Sequence, residues 1–538
     1  MKQYLFYIKS TIVVLALIIL SGCSDYLDIN DDPNNPTSAP LSQILPYTQA
    51  TTAGALGLGT AGLSDVLAVW SHQLVQRSNH DDYATDGNDF NITEPWDKLY
   101  TVALTDLREI IRIGTEQESW HYVGIAQVLR AYAFSTMVDV WGDIPYFNAN
   151  QGAANPFPAF DNGKAIYTDL FLLLDEAVAN LKKSSARPVT SDDLIYNGNI
   201  SRWIKAANTI KLNMYNKVRL TDLYNAADVS KLLGEELMSS IGDDFELFYG
   251  SSIAPENRHP AFVREYARSD PDWYISPYFY QLMQGNAECQ NTIFHGLPDP
   301  RLPYYFYKQL RPGQVPERPF AYKDGEFLSI WFGSLNRDPN EGFDQSLAQT
   351  VIGLYPAGGQ FDTNTGGAAN ANMGLKGASA QRLLTYAASL FARAELALTK
   401  GTGENARNLF ESAMTAAFAK VNEVASAAGA PQISASARDA YMSAVLALYD
   451  AGDDTKKLEL ILTQKWIAEF GYGVETYNDI RRVGFPKIFL PEEDNNQFTS
   501  QTRLYPVSLP YNTNDLQINP NAPGQRNSGI DRVFWDAN

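Results

Sequence analysis

Aromatic residues are concentrated in two short stretches near the middle of the chain. The stretch DPDWYISPYFYQ contributes Trp273, Tyr274 and Tyr278, and the stretch FAYKDGEFLSIWFG contributes Tyr322 and Trp331. Aromatic rings with a polar edge offer a large, rigid contact area at low entropic cost, which suits stacking on a sugar ring or a peptide side chain. Packing in the protein core is the alternative use for any single ring. We expect at least one or two of these rings to line a ligand-binding pocket.

A further stretch, VWSHQLVQRSNHDDYAT, carries side chains that can hydrogen-bond a polar ligand. Its candidate ligand contacts are Trp70, His72, Asn79 and Asp82. At the spacing of a helix, Trp70, Gln73 and Arg77 would lie on one face, and a loop would follow them. The alternative is a helix end whose polar residues are simply solvated.

Motifs for catalysis or metal binding do not stand out. The five histidines form no H-E-x-x-H spacing, and the sequence contains neither a G-x-S-x-G elbow nor a Walker-type phosphate loop. Asp362–Gly367 is similar to the start of a calcium loop, but Met373 occupies the twelfth position, where glutamate is required. A glycosidase needs only two suitably spaced carboxylates, and 61 acidic residues leave that alternative open. We expect a binding protein, not an enzyme, with no metal and no cofactor.

The charge balance restricts the possible partners. The chain has 42 lysines and arginines against 61 acidic residues, which gives a formal net charge of −19. Such an acidic protein repels phosphate groups, so neither nucleic acid nor an anionic membrane surface is an expected partner.

The first residues have the features of an export signal. Lys2 and Lys9 are followed by an apolar stretch, Thr11–Leu20, that is too short to span a bilayer as a helix. The sequence Leu-Ser-Gly-Cys that ends at Cys23 resembles a bacterial lipobox, in which the cysteine becomes the acylated N-terminus. An ordinary secretory cleavage site is the alternative. We expect a signal peptide over residues 1–22 and lipidation of Cys23.

The segment after Cys23 contrasts sharply with the apolar stretch. Residues 23–40 contain four aspartates and three prolines, a composition typical of an extended tether. The remaining cysteine, Cys289, has no partner for an intrachain disulfide if Cys23 carries lipid. Residues 41–538 are expected to form a single domain.

Helical periodicity supplies the elements that would position these residues. Apolar residues recur at helical spacing in paired segments at both ends of the body, for example at Leu99, Ala103 and Leu107. Paired helices of this length indicate tetratricopeptide-like units. The four predicted pairs are Trp96–Ile113 with Trp120–Val138, Ala165–Leu181 with Trp203–Leu220, Leu383–Thr399 with Ala406–Ala419, and Arg438–Tyr449 with Lys456–Phe470.

The chain between the second and third helix pairs follows no such pattern. Residues 241–377 are rich in glycine, proline, asparagine and aromatic residues, and no long amphipathic helix stands out. An irregular region of this length inside a compact protein is usually functional. We therefore expect a large, loop-rich lobe here, between helical pairs near 96–220 and 378–470.

Two neighbouring arginines near the end of the last helical region are further candidates. Arg481 and Arg482 could hold an anionic ligand through paired hydrogen bonds. The alternative is that they form internal ion pairs with Asp479 or Glu475.

Several blocks of sequence resemble one family. The sequence DVWGDIPY (Asp139–Tyr146), which follows GIAQVLRAYAFSTM, resembles the helix and turn typical of the SusD/RagB family of nutrient-binding outer-membrane lipoproteins of Bacteroidetes. Further blocks similar to the SusD-like branch occur in family order, among them WDKLYTVALTDLREII, DLIYNGNISRWIKAANTIKLNMYNKV, LTYAASLFARAELALTKG and ILTQKWIAEFGYGVETYNDIRRVGFPKI.

This resemblance implies a fold, a location and a role. The fold would be mainly α-helical, with about four tetratricopeptide-like helix pairs and a large irregular lobe. The protein would be anchored in the outer membrane by its lipid and face the cell exterior. It would capture an oligosaccharide, or alternatively a peptide, and pass it to a TonB-dependent, SusC-like transporter. A surface glycan-degrading enzyme is the remaining alternative.

Overall fold

The computed structural model describes most of the chain from residue 39 onward. The described ranges are 39–59, 61–76, 83, 86–267, 273–305, 312–313, 321–330, 332, 372, 374–489 and 504–537. The predicted signal peptide, Cys23 and most of the predicted tether lie outside these ranges. So do Arg77, Trp331 and the segment that resembles a calcium loop.

Helices dominate the N-terminal part of the described chain. In chain order they are α1 (Leu41–Leu56), α2 (Leu63–Trp70), α3 (Phe90–Asp97), α4 (Leu104–Glu116), α5 (Trp120–Trp141), α6 (Gly163–Leu181), α7 (Ile200–Lys217) and α8 (Ala226–Leu232). A π-helical turn, Lys98–Ala103, joins α3 to α4 without a break. Helix α5 packs between α4 and α6, and α7 packs against α6.

The ends of these helices follow from local sequence. Asn162 and Asn199 cap α6 and α7, since their side chains accept hydrogen bonds from backbone N–H groups of the first turn. Helix α5 is followed directly by Gly142, whose φ of 79° would be strained for a residue with a side chain. A Cβ at Gly142 would also lie 2.7 Å from Nη1 of Arg526. The sequence DVWGDIPY therefore forms the sharp turn that glycine permits.

The C-terminal part repeats the paired arrangement. It contains α12 (Tyr386–Lys400), α13 (Ala406–Ala427), α14 (Ala435–Ala451), α15 (Asp454–Ala468), α16 (Gly473–Val483) and α17 (Thr513–Ile518). Helices α12 and α13 pack against each other, as do α14 and α15. The prediction of a mainly helical fold with four tetratricopeptide-like pairs is confirmed. Helices α1 and α16 were not predicted.

The described parts of residues 241–377 contain short elements. They are β2 (Phe245–Phe248), α9 (Pro260–Tyr266), β3 (Trp273–Ile275), α10 (Pro277–Gln284), α11 (Leu302–Tyr305), β4 (Ala321–Asp324) and β5 (Phe327–Ile330). Strand β2 pairs antiparallel with β6 (Ala380–Leu384), which leads directly into α12. The two ends of this middle segment therefore meet at one place on the helical scaffold.

A network of buried charged side chains joins the two helical halves. Lys217 of α7 lies 2.6 Å from Asp139 of α5 and 2.6 Å from Glu475 of α16. Glu395 of α12 accepts hydrogen bonds from both outer nitrogens of Arg482. These carboxylates and cations are almost wholly buried, so their mutual pairing is what makes burial tolerable.

The two candidate arginines are part of this interior. Arg482 lies 2.8 Å from Asp479, which confirms the internal ion pair considered above. Arg481 instead donates to the backbone carbonyls of Val507 and Asp139 and to the side chain of Asn478. Both arginines are buried. As placed, they hold helix α16 and offer no surface to an anionic ligand.

Candidate functional site

The two stretches singled out for ligand contact meet in space. Strand β1 (Leu74–Gln76) pairs antiparallel with β3, with Val75 opposite Tyr274 and Gln76 opposite Trp273. The hairpin of β4 and β5 joins them, because the Ser329 hydroxyl donates to the Ile275 carbonyl at 2.6 Å. The structure therefore brings together segments that lie far apart in the sequence.

His72 lies at the centre of a group of rings beside this junction. Its Nε2 is 3.0 Å from the Tyr83 hydroxyl. Its ring centroid lies 3.9 Å from that of Phe489, 4.7 Å from Phe332 and 5.2 Å from Tyr278. His72 is fully buried, so it serves here to join the segments.

The predicted helical face in this stretch is wrong. Helix α2 ends at Trp70, and His72 follows with a φ of 55°, so the chain leaves the helix and continues as strand β1. Gln73 is buried and donates from Nε2 to the Trp466 carbonyl at 2.7 Å. Trp466 in turn donates from Nε1 to the Ser71 carbonyl. Contacts with α15 therefore override the helical spacing of the local sequence.

The candidate aromatic residues are packed in the interior. Trp273 is 0% exposed, and Tyr274, Tyr278, Tyr322 and Trp70 are also buried. Tyr322 contacts Tyr280, which stacks on Phe327 at 3.8 Å between ring centroids. As placed, these rings present no open face for stacking. A ligand-binding role for them and for His72 stays a prediction, and Asn79, Asp82 and Trp331 lie outside the described residues.

A chain of polar contacts leads from Trp273 toward the surface. The guanidinium carbon of Arg264 lies 4.5 Å from the centroid of the Trp273 ring. Arg264 also lies 3.1 Å from Asp65, and that carboxylate accepts hydrogen bonds from the backbone N–H groups of Gly59 and Ala61. Arg264 thus connects the buried junction with the loop that precedes α2.

A surface groove lies on the outer side of this connection. Its volume is about 570 Å³, within the range of small-molecule sites, and Arg264 is among its lining residues. The other lining residues used below are Phe90, Tyr249, Glu256 and Arg258. Phe90, the first residue of α3, is 62% exposed. We call this feature the lobe groove.

The lobe groove was not predicted from the sequence. Phe90 and Tyr249 lie outside the aromatic-rich stretches, and Phe90 is a single ring between polar neighbours, which gives no periodic signal. The one signal in the sequence for an exposed ring was the position of Phe90 directly after Asp89, which caps α3 through its side chain. Such a position leaves the ring at the outer end of a helix.

The charged groups of the lobe groove are already paired. Glu256 accepts from Nε and Nη2 of Arg258 at 2.8 and 2.6 Å, and this guanidinium lowers the pKa of Glu256 to about 2. Arg264 is paired with Asp65. Within the described ranges, no group of three or more His, Cys, Asp and Glu side chains is arranged to hold a metal ion. The groove can therefore offer a ring and hydrogen-bonding groups that carry little net charge.

The structure consists of helix pairs, and these carry an inserted segment with a ligand-sized groove. The helix pairs place this chain among the tetratricopeptide-like helical proteins. Residues 33–506 match the SusD-like family model described as "Starch-binding associating with outer membrane". The chain therefore belongs to the SusD-like family. Among curated proteins, none matches this chain.

Solved structures agree with this fold. A chitin-binding protein superposes with a TM-score of 0.71 at 20% identity, covering 93% of this chain and 100% of that one. A chitin-binding SusD homolog from Flavobacterium johnsoniae gives 0.66 at 20% identity, covering 92% and 99%. A SusD/RagB family protein from Bacteroides thetaiotaomicron gives 0.67 at 20% identity, covering 93% and 99%.

The family assignment supports the broader expectations. The description of the family names starch binding and association with the outer membrane. The family therefore indicates a nutrient-binding role at that membrane. None of the helices in the described ranges combines the length and the hydropathy needed to span a bilayer.

Proposed function

We propose that this chain is a cell-surface lipoprotein that captures an oligosaccharide and passes it to a TonB-dependent, SusC-like transporter in the outer membrane. The family description supports the binding role. The observation that carries the location of the site is the lobe groove, because the exposed Phe90 ring lines it and Arg264, which also lines it, lies over Trp273 at the junction of the two candidate segments.

The chemistry of the lobe groove suits a sugar. Phe90 offers an apolar face for the C–H side of a sugar ring, and the guanidinium group of Arg258, which uses Nε and Nη2 for Glu256, keeps Nη1 as a donor for hydroxyl groups. Because Arg258 and Arg264 each already have a carboxylate partner, an anionic ligand would gain little from them. This favours a neutral oligosaccharide over an acidic peptide.

The same groups argue against glycan hydrolysis. A glycosidase needs a carboxylic acid whose pKa is raised, so that it can protonate the leaving oxygen near neutral pH. Of the described residues that line the lobe groove, Glu256 is the acidic one, and its pKa is lowered to about 2 by Arg258. It is therefore a poor general acid.

A binding and turnover assay tests this proposal. The protein without residues 1–23 is titrated calorimetrically with malto-oligosaccharides, chito-oligosaccharides and a peptide mixture, and the sugars are then analysed by chromatography. We expect saturable binding of a neutral oligosaccharide and recovery of the sugar uncleaved. Binding of peptides alone would favour the peptide alternative, and cleavage of the sugar would overturn the assignment as a binding protein.

The anchor and the transporter need separate experiments. Lipidation at Cys23 predicts that Cys23→Ala yields a folded protein that is released from the membrane fraction, since acyl chains add about 0.8 kcal/mol of membrane affinity per buried CH2. Retention of this variant without detergent would count against the anchor. For the transporter, purification of the lipidated protein in mild detergent should recover a β-barrel partner. Its repeated absence would leave a free-standing binding protein.

A further inference from the structure

A second groove lies on the helical scaffold, away from the middle segment. Its volume is about 960 Å³, and it is lined by α6, α7, α8 and the turn between α7 and α8. We call it the helical groove. Its floor includes Phe171 and Tyr215, whose rings stack with centroids 4.2 Å apart and planes 11° apart. Tyr224 and Leu172 lie at its edge, and Leu172 is 63% exposed.

Side-chain hydrogen bonds connect the helices that form the walls of the helical groove. Lys211 of α7 donates to Asp175 of α6 at 2.5 Å, and Tyr215 of α7 donates to Asp228 of α8 at 3.2 Å. Asn208 donates from Nδ2 to the Glu236 carbonyl at 2.9 Å, just beyond α8. Because three walls are joined through α7, the groove is preformed, and a ligand would not have to order it.

The groove is lined by an aromatic ring, Tyr224, that has an exposed cation beside it. Lys400 of α12 lies 5.0 Å from the centroid of the Tyr224 ring, which is partly exposed. Lys164 pairs with Asp222 at 2.7 Å on the same turn. Tyr224 thus lines the groove with a ring that is partly exposed.

The charges of the groove indicate which ligands fit. Its lining residues include four carboxylates and three lysines, a nearly even balance in a chain with a net charge of −19. An even balance gives no strong attraction for an anion or a cation. Carboxylates accept and ammonium groups donate, so together they suit hydroxyl groups, which do both. The apolar floor and the tyrosine edge suit the C–H faces of sugar rings.

We propose that the helical groove is a second binding site for a neutral oligosaccharide, separate from the lobe groove. The choice of sugar as the probe rests on the proposed function. The location rests on the groove itself, so the two proposals can fail independently. Two sites on one chain would let a long glycan be held at two points, which raises its overall affinity if the chain can span them.

The test uses variants that block one groove at a time. Ala179 lies on the exposed side of α6 and lines the helical groove, so Ala179→Trp should fill it without disturbing the core. Ala440→Trp, at an exposed position of α14, makes the same change outside both grooves. Phe90→Ala removes the exposed ring of the lobe groove. Calorimetry with chitohexaose and maltohexaose then gives the number of sites and the affinity of each.

We expect two sites per chain in the unchanged protein and in Ala440→Trp. Ala179→Trp should lose one site, or weaken it about tenfold or more, and Phe90→Ala should weaken the other. Hydrogen exchange should show protection of residues 222–235 by the sugar, and this protection should vanish in Ala179→Trp. If Ala179→Trp misfolds, Tyr224→Ala replaces it, with the same expected loss.

The remaining outcomes decide between the two proposals. If Ala179→Trp binds as the unchanged protein does and residues 222–235 show no protection, the second site is overturned while the lobe groove stands. If Phe90→Ala has no effect but Ala179→Trp abolishes binding, the helical groove stands and the lobe groove fails. If neither sugar binds the unchanged protein, both proposals are overturned.

Discussion

The helical scaffold and the middle segment fill their interiors with different chemistry. In the scaffold, buried carboxylates and cations of α5, α7, α12, α15 and α16 pair with one another, for example Lys465 with Asp479 at 2.7 Å. In the middle segment many rings are buried, such as Tyr280 on Phe327, and Tyr278 and Phe332 pack against His72 at its border. The middle segment also buries charge, but its ion pair of Arg301 with Asp299 joins near neighbours in the chain, whereas the ion pairs of the scaffold connect different helices.

The difference follows from what each region has to hold. Ion pairs are directional, and a buried charge that loses its partner is strongly destabilising, so the network fixes the relative position of helices that come from both ends of the chain. Rings bury a large area with weaker demands on orientation, which suits a segment built from short strands and loops. The scaffold can thereby hold the two ends of the middle segment together at the β2–β6 pair.

Removing one carboxylate of the network should have the largest effect on stability. Glu395 accepts from Arg482 at 2.8 Å and from Asn216 at 2.7 Å, and it lies 2.8 Å from Arg219. Glu395→Leu leaves two buried guanidinium groups without this partner. We expect a loss of about 5 kcal/mol in the free energy of unfolding, at the upper end for a broken buried ion pair. Chemical denaturation measures it.

A matched control separates burial from pairing. Glu411 forms an ion pair with Arg407 at 3.3 Å on the exposed side of α13. Glu411→Leu should therefore cost less than about 1 kcal/mol. If both glutamate variants lose the same small amount of stability, the buried network is not what holds the scaffold.

Removing a central ring of the middle segment should cost somewhat less. Trp273 is fully buried under Arg264, so Trp273→Ala should lower the free energy of unfolding by about 3 kcal/mol through the cavity it leaves. Oligosaccharide binding at the lobe groove should persist in the folded fraction. The control is Phe248→Ala, which removes an exposed ring of β2. Unchanged stability together with lost binding would instead assign Trp273 to the ligand.

The two regions should also respond differently to acid. His259 caps α9 by accepting from the Ala261 N–H at 3.2 Å. Burial lowers its pKa to about 3, and the charge of Arg382 acts in the same direction. The unfolded imidazole, with a pKa of about 6.5, binds a proton first, so stability falls as pH drops from about 6.5 toward 3. At about 1.4 kcal/mol per pH unit, the loss at pH 5 is about 2 kcal/mol.

The scaffold should resist acid down to lower pH. Burial alone would raise the pKa of Glu395, but the guanidinium groups of Arg482 and Arg219 outweigh it and lower the pKa to about 2. Its contribution is therefore present above about pH 4.3 and lost only as pH falls toward 2. His259→Asn keeps a capping acceptor and removes the titration. Its stability should change less between pH 7 and pH 5, and an unchanged profile would exclude His259 as the cause.

The same contrast explains which parts of the fold were predictable from sequence. The four helix pairs bury apolar stripes, so hydrophobic periodicity finds them. Helix α16 escapes this test because its buried face carries Glu475, Asn478, Asp479 and Arg482. The meeting of β1 with β3 has no local signal, since the two strands lie far apart in the chain. Residue type alone also cannot tell a buried ring such as Trp273 from one that lines a groove.

The smallest effect on stability, and the clearest on binding, should come from Phe90. This ring is 62% exposed at the start of α3, so Phe90→Ala removes little buried area and should change the free energy of unfolding by less than about 0.5 kcal/mol. If the ring stacks on a sugar, its loss should weaken binding at the lobe groove about tenfold, as for a typical binding hot spot.

The control is Phe147→Ala, which removes another exposed ring that lines neither groove. Calorimetry and thermal melting of the same samples give both quantities. Arg264 lines the lobe groove with Phe90 and also lies over Trp273, yet Phe90→Ala should lose affinity alone and Trp273→Ala stability alone. A Phe90→Ala protein that binds as tightly as the Phe147→Ala control would remove the ring from the site and with it the placement of the ligand in the lobe groove.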